Sequence, residues 1–196
     1  MESSDDQILE RIVRSPRGTL FFPDSFLSIS SAKTVAKVLE RLVQSGKLHR
    51  AATGIYVRPV QDEVIGVILP GIEDIAEAII RRDKARAVPT GSYALYKLGL
   101  TTQVPLNIVY YTDSSSRQVK IGTQTITFKK ASARNVSAIG EISKLVIQAL
   151  RSIGKGNVTA EEIEIIAARL KDEKPYHLQH DIKLAPEWIR QIIRAL

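Results

Sequence analysis

The sequence predicts an α+β chain in two parts: a helical N-terminal unit closed by a short hairpin, then a mixed domain with a small sheet and C-terminal helices. Two apolar stripes at helical spacing occupy the first 45 residues, and two short strand patterns follow them. Further strand patterns up to residue 129 then give way to three helical periods, with no internal repeat linking the halves. The boundary falls at Arg58-Pro59-Val60-Gln61-Asp62-Glu63, where a proline stops a strand pattern and acids follow. The units are therefore read as residues 1–60 and 61–196.

The first helix is expected over Ser4–Arg14, where Ile8, Leu9, Ile12 and Val13 share one face. Ser4 is its expected cap, with Gln7 completing a capping box. Ser15-Pro16-Arg17-Gly18 ends it by turn chemistry. An extended run, Thr19–Phe22, leads to a helical turn from Pro23 to Leu27. A second helix spans Ser31–Ser45, with Ser30 as cap, and commits Val35, Val38, Leu39, Leu42 and Val43 to a core. Gly46 sits where a left-handed C-terminal cap belongs. Lys47–Ala51 and Ile55–Arg58 then read as strands joined by Ala52-Thr53-Gly54. Helix, helical turn, helix and hairpin in that order is the plan of a winged helix-turn-helix.

In the second unit a helix is expected over Ile72–Arg82. A shorter one, Tyr93–Leu98, is introduced by Thr90-Gly91-Ser92 and ended by Gly99. Leu106–Thr112 is apolar enough for a buried strand, and Arg117–Ile121 with Thr125–Lys129 forms a second hairpin. Helical periods return at Ile139–Ile153, Ala160–Leu170 and Pro186–Leu196, and Thr159 with Glu162 caps the middle one.

Charge decides what the first unit is for. The chain has 28 Lys and Arg against 21 Asp and Glu, a net +7. Between Ser25 and Gln61 there are six basic residues and one acid, Glu40, so this stretch holds +5 of that excess. Lys33, Thr34, Lys37 and Arg41 lie opposite the apolar side of the second helix, while Lys47, His49, Arg50 and Arg58 fall in the hairpin. A helix held by its apolar side offers donors to a major groove, and cations on a wing meet backbone phosphates. These eight residues are the candidate DNA contacts. A solvated helix face is the plain alternative. A possible second basic surface comprises Arg117, Lys120, Lys129, Lys130 and Arg134, with no acid from Ser114 to Gly140. Charged edge strands that resist aggregation explain it as well.

Arg17-Gly18-Thr19-Leu20-Phe21-Phe22, Leu39-x-x-Leu42-x-x-x-Gly46-Lys47-Leu48-x-Arg50 and Gly54-Ile55-Tyr56-Val57-x-Pro59 follow one another in the first unit. Together they resemble the N-terminal winged helix of the AbiEi antitoxin family, from type IV toxin–antitoxin systems. Pro89-Thr90-Gly91-x-x-Ala94-Leu95-x-x-Leu98-Gly99-Leu100-Thr101-x-Gln103-x-Pro105 is similar to the opening of that family's C-terminal domain. The resemblance covers residues 17–105 and implies a repressor that binds double-stranded operator DNA at its own promoter. It also implies a C-terminal domain that counters a nucleotidyltransferase-like toxin, without requiring a stable complex. The recognition helix then maps to Ser31–Ser45 and the wing to Lys47–Arg58. Residues 113–196 carry no motif of the family that assigns a toxin-countering residue.

Other chemistry finds little footing. The absence of cysteine removes disulfides, thiolate metal sites and a cysteine nucleophile. His177-x-x-His180-Asp181 lacks a third ligand of zinc-site spacing, and His49 lies in the wing. Gly91-Ser92 lacks the second glycine of a nucleophile elbow, and Gly154-Lys155-Gly156 is too short for a phosphate loop. The expectation is a protein with no catalytic residues, no metal and no cofactor. No apolar run reaches the ~18 residues of a membrane span, and Met1-Glu2-Ser3-Ser4-Asp5-Asp6 is acidic. A cytoplasmic protein without membrane contact is therefore expected. Two other readings stay open: an adaptor whose winged helix docks a protein, and an enzyme of nucleotide chemistry targeted by that helix. Residues 100–140, with Asp113 as their one acid, lack the clustered carboxylates such an enzyme needs.

Overall fold

The computed structural model describes residues 3–196, so Met1 and Glu2 of the acidic start lie outside the described residues. Among those described there are eight α-helices, nine strands and two 3₁₀ turns, an α+β fold as the sequence predicts. The chain forms two compact units. The first runs to Ile79 and takes in Val119–Gly122; the second holds Ile80–Gln118 and Thr123–Leu196. The expected boundary at residue 60 lies inside the first unit.

Helix α1 spans Ser4–Arg14 and is capped one residue earlier than expected. The Ser3 hydroxyl accepts from the Asp6 backbone N–H at 3.2 Å, and the Asp6 carboxylate accepts from the Ser3 N–H at 3.3 Å. Asp6 brings an ionised acceptor to this box, a stronger partner than the Gln7 amide. Strand β1 is Leu20–Phe21, and a 3₁₀ turn covers Pro23–Phe26. Helix α2 spans Ala32–Gln44, and its cap is Ser31, not Ser30. The Ser30 N–H is already used by the Phe26 carbonyl, while the Ser31 hydroxyl accepts from Thr34 N–H at 3.3 Å.

Gly46, at φ +71°, lets the chain reverse after α2. The N–H groups of Lys47 and Leu48 then turn back to the Leu42 carbonyl. For that reason strand β2 begins at His49, two residues later than the hydropathy pattern suggests, and runs to Ala52. Strand β3 is Ile55–Val57, and the sheet order is β1-β3-β2, antiparallel throughout. Ile8 and Ile12 of α1, Val35, Val38, Leu39 and Leu42 of α2, and Phe21, Phe26, Leu48 and Tyr56 form one core. Strands β4 (Val60–Asp62) and β5 (Gly66–Ile68) make a further hairpin that the sequence reading left without an element. Its turn is held by the Asp62 carboxylate, which accepts from Val64 and Ile65 N–H.

The division between the units falls within helix α3, Ile72–Arg82. The four-stranded sheet has the order β6-β7-β9-β8, from Ala87–Thr90, Asn107–Thr112, Gln124–Lys130 and Arg117–Ile121. The sequence reading assigns no element to residues 87–89 and gives Thr90 to the lead-in of a helix, whereas β6 takes in Pro89. At the sheet edge a missing N–H costs no ladder bond. Strands β7 and β9 run parallel, a pairing no local pattern announces. Helix α4 is Ser92–Leu98, between Gly91 and Gly99, both at positive φ.

Helices α5 (Glu141–Ile153), α6 (Ala160–Leu170) and α8 (Glu187–Arg194) appear near their expected places. Val146, Ile147, Leu150, Ile166, Leu170, Ile189 and Ile193 pack them with α4 into a second core. The sequence reading missed α7, Pro175–Ile182. Its one fully buried residue is Asp181, and its apolar contact with the second core is limited to the partly buried Leu178 and Ile182, too short a stripe to stand out in the sequence.

Candidate nucleic-acid interface

Helix α2 turns its two faces as amphipathic spacing requires. Val35, Val38, Leu39 and Leu42 are buried, while Lys33, Lys37, Glu40, Arg41 and Gln44 are exposed. From Lys33 to Arg41 is about 12 Å along the axis at 1.5 Å per residue. The three cations make a ridge, and each is free to swing into solvent except Arg41, whose guanidinium sits 2.7 Å from the Asp5 carboxylate of α1. That pair is more than 40% exposed on both sides, so it is worth little and readily given up. Thr34 is half-buried and shares its hydroxyl with Ser31 at 3.0 Å. It serves the cap.

Lys47, His49 and Arg50 are exposed beside α2, on the turn and first strand of the hairpin. Strand β2 is an edge of its sheet, so its outer backbone groups face away from β3. Among the described residues, Lys33, Lys37, Lys47, His49 and Arg50 have no ion-pair partner. Arg58 is different. Its guanidinium donates to the Val13 carbonyl at 2.7 Å and to the Ser15 carbonyl, satisfying the C-terminal end of α1. Arg17 similarly donates to the Pro59 carbonyl at 3.2 Å. The structure thus gives Arg58 a bracing position, with its donors directed into the unit.

The second basic group is broken up by the fold. Arg117 pairs with Asp83, which Arg82 also meets at 2.9 Å, and its guanidinium lies 5.2 Å from the Phe128 ring centroid. Burial pulls its pKa below the usual arginine value, and the neighbouring Arg82 adds to that. Lys120, Lys129, Lys130 and Arg134 are exposed, so four of the five remain at the surface.

The His-x-x-His-Asp run has a role within the fold. The Asp181 carboxylate, fully buried, accepts from Ile139 N–H (2.9 Å), Gly140 N–H (2.8 Å) and the Ser143 hydroxyl (2.5 Å), and His180 Nδ1 lies 2.8 Å away. Glu173 accepts from Ile142 and Ser143 N–H at 2.7 and 2.9 Å, with His177 Nδ1 at 3.2 Å. Two carboxylates from distant chain positions thus satisfy the orphan N–H groups at the start of α5. Burial pushes both pKa values up, but the hydrogen bonds outweigh it and hold both below the ordinary carboxylate range. Sequence reasoning missed Glu173 because the α5 N–H groups it satisfies lie 30 and 31 residues away. Among the described residues no three metal-binding side chains gather into a cation site, and no helix is long and apolar enough to cross a membrane.

Residues 7–178 match the model of DUF6088, a family of unknown function. The chain belongs to DUF6088. No curated protein matches it. The matched span of this DUF6088 chain takes in α2 and its hairpin, the four-stranded sheet and the carboxylate-held start of α5.

Proposed function

We propose that the first unit of this DUF6088 protein is a winged helix-turn-helix that binds double-stranded operator DNA, with α2 in the major groove and β2–β3 as the wing. One observation carries the reading. The buried side of α2 anchors it to the core, while its opposite side and the adjoining edge strand present Lys33, Lys37, Lys47, His49 and Arg50 without carboxylate partners among the described residues. The order α1, β1, 3₁₀ turn, α2, β2, β3 with sheet order β1-β3-β2 supports it. Arg41 joins the contact by leaving Asp5, and Arg58 braces α1 behind it. On the resemblance to AbiEi antitoxins, the protein represses its own operon, and its second unit counters a nucleotidyltransferase-like toxin. It does so as a cytoplasmic non-enzyme with no cofactor.

Fluorescence anisotropy with promoter-length duplex DNA at two salt concentrations tests this. Neutralising several phosphates makes the affinity fall by roughly 10³-fold or more between 50 and 200 mM salt, and K33A/K37A binds more weakly at both. Salt-independent binding, or wild-type affinity in the double variant, overturns the interface. A protein-docking adaptor gives no salt-sensitive duplex binding at all.

A further inference from the structure

Another cluster of cations lies wholly in the second unit, and only Arg134 among its members belongs to the basic stretch read from the sequence. Lys144, Gln148 and Arg151 recur on one side of α5, at i, i+4 and i+7, and meet Arg134 and Asn135 of the 3₁₀ turn Ala133–Val136. With Ala138, Ile147 and Leu184 they line a partly open notch with about 10 Å³ of room. That is space for a single water-sized atom.

The notch is short of negative charge. Lys144 has the Glu141 carboxylate 2.7 Å from its Nζ, but Glu141 is 85% exposed and stands outside the lining. Arg134 donates to the Lys183 carbonyl at 3.4 Å. Neither Arg134 nor Arg151 has a carboxylate partner among the described residues. Arg151 is half-buried; burial lowers its pKa, Tyr111 opposes that, and the charge of Arg134 adds to the lowering. A guanidinium keeps its proton nonetheless, so the unfavourable charge stays in place. Gln148, 3% exposed, also has a buried Oε1 with no hydrogen-bond partner.

One water would satisfy Gln148 but leave the half-buried Arg151 guanidinium without a counter-charge. An oxyanion relieves both, since a half-turn of the Gln148 amide puts an N–H donor where the orphan oxygen lies. Guanidinium pairs bind oxyanions through charge-assisted bonds. Arg134 belongs to a stretch that also holds the exposed Lys129 and Lys130 and has no acid between Ser114 and Gly140. This favours a multiply charged group over a carboxylate.

We infer that this notch is a phosphate-binding site: one phosphoryl oxygen enters between Arg134 and Arg151, and the rest of the ligand stays in solvent. The site stands independently of DNA binding by the first unit. Its ligand is a phosphoryl group, from a nucleic-acid backbone or from free phosphate.

The test is NMR of the ¹⁵N-labelled full-length protein, following the Nε–H signals of Arg134 and Arg151. Inorganic phosphate is titrated against sodium chloride of equal ionic strength, and an oligothymidylate without terminal phosphates serves as the diester probe. Phosphate is expected to shift both signals saturably, and R151M to weaken the response about tenfold or more. Because Arg151 is half-buried, the exposed-site variant R134Q is run in parallel and gives the same loss. A matching response to the oligothymidylate identifies backbone phosphate as the source; a response to inorganic phosphate alone identifies free phosphate. Shifts reproduced by chloride, or unchanged in both variants, overturn the site.

Discussion

Two arginines on neighbouring elements show how little a residue's charge says about its task. Arg41 and Arg58 both belong to the basic run of the first unit, yet one ends in a loose surface pair and the other in two backbone carbonyls. The expected consequences differ accordingly. R58M removes the donors that close α1 and costs about 1–3 kcal/mol of stability, seen as a lowered Tm, with duplex affinity little changed. Lost affinity at unchanged Tm would move Arg58 into the interface. Arg117 illustrates the same point in the second unit. The stretch without acids from Ser114 to Gly140 groups it with Lys129 and Lys130, and the fold places it against Asp83 and Phe128.

At the scale of elements, the start of α5 is the clearest case of a helix made stable from outside itself. It has no side-chain cap of its own. Gly140 leaves room for the Ser143 hydroxyl and the Glu173 carboxylate, which a Cβ there would strike. Both carboxylates have folded pKa values lowered by hydrogen bonding, so their contribution is present above the unfolded carboxylate pKa and is lost as pH falls through the folded values. Stability is therefore expected to drop on acidification below about pH 4. D181N should lower Tm at neutral pH, by about 2 kcal/mol or more of stability, and flatten that acid limb. Thermal melts across pH 2–7 check this; an acid limb as steep in D181N as in wild type would assign the titration elsewhere.

For the whole molecule, division into two compact units separates the proposed tasks. The candidate DNA contacts lie in the first unit, and the second has its own core of α4–α6 and α8. On the proposed function, K33A/K37A in the full chain releases a promoter reporter while still protecting cells that carry the cognate toxin. Loss of protection together with repression would mean the toxin is countered through DNA binding.

Both amphipathic helices of the first unit, the reversal at Gly46 and the basic stretch from Lys33 to Arg50 were legible in the sequence. They rest on local periodicity and on backbone preferences that act within a few residues. Other features required the folded chain. The parallel pairing of β7 with β9, the edge strand at Pro89, the short helix α7 and the convergence of Arg134 with Arg151 depend on contacts between distant positions. The sequence by itself determined which faces must be buried and which charges must stay in water. Tertiary structure alone decided which of those charges find a partner, because an ion pair or a cap from 30 residues away leaves no trace in local spacing.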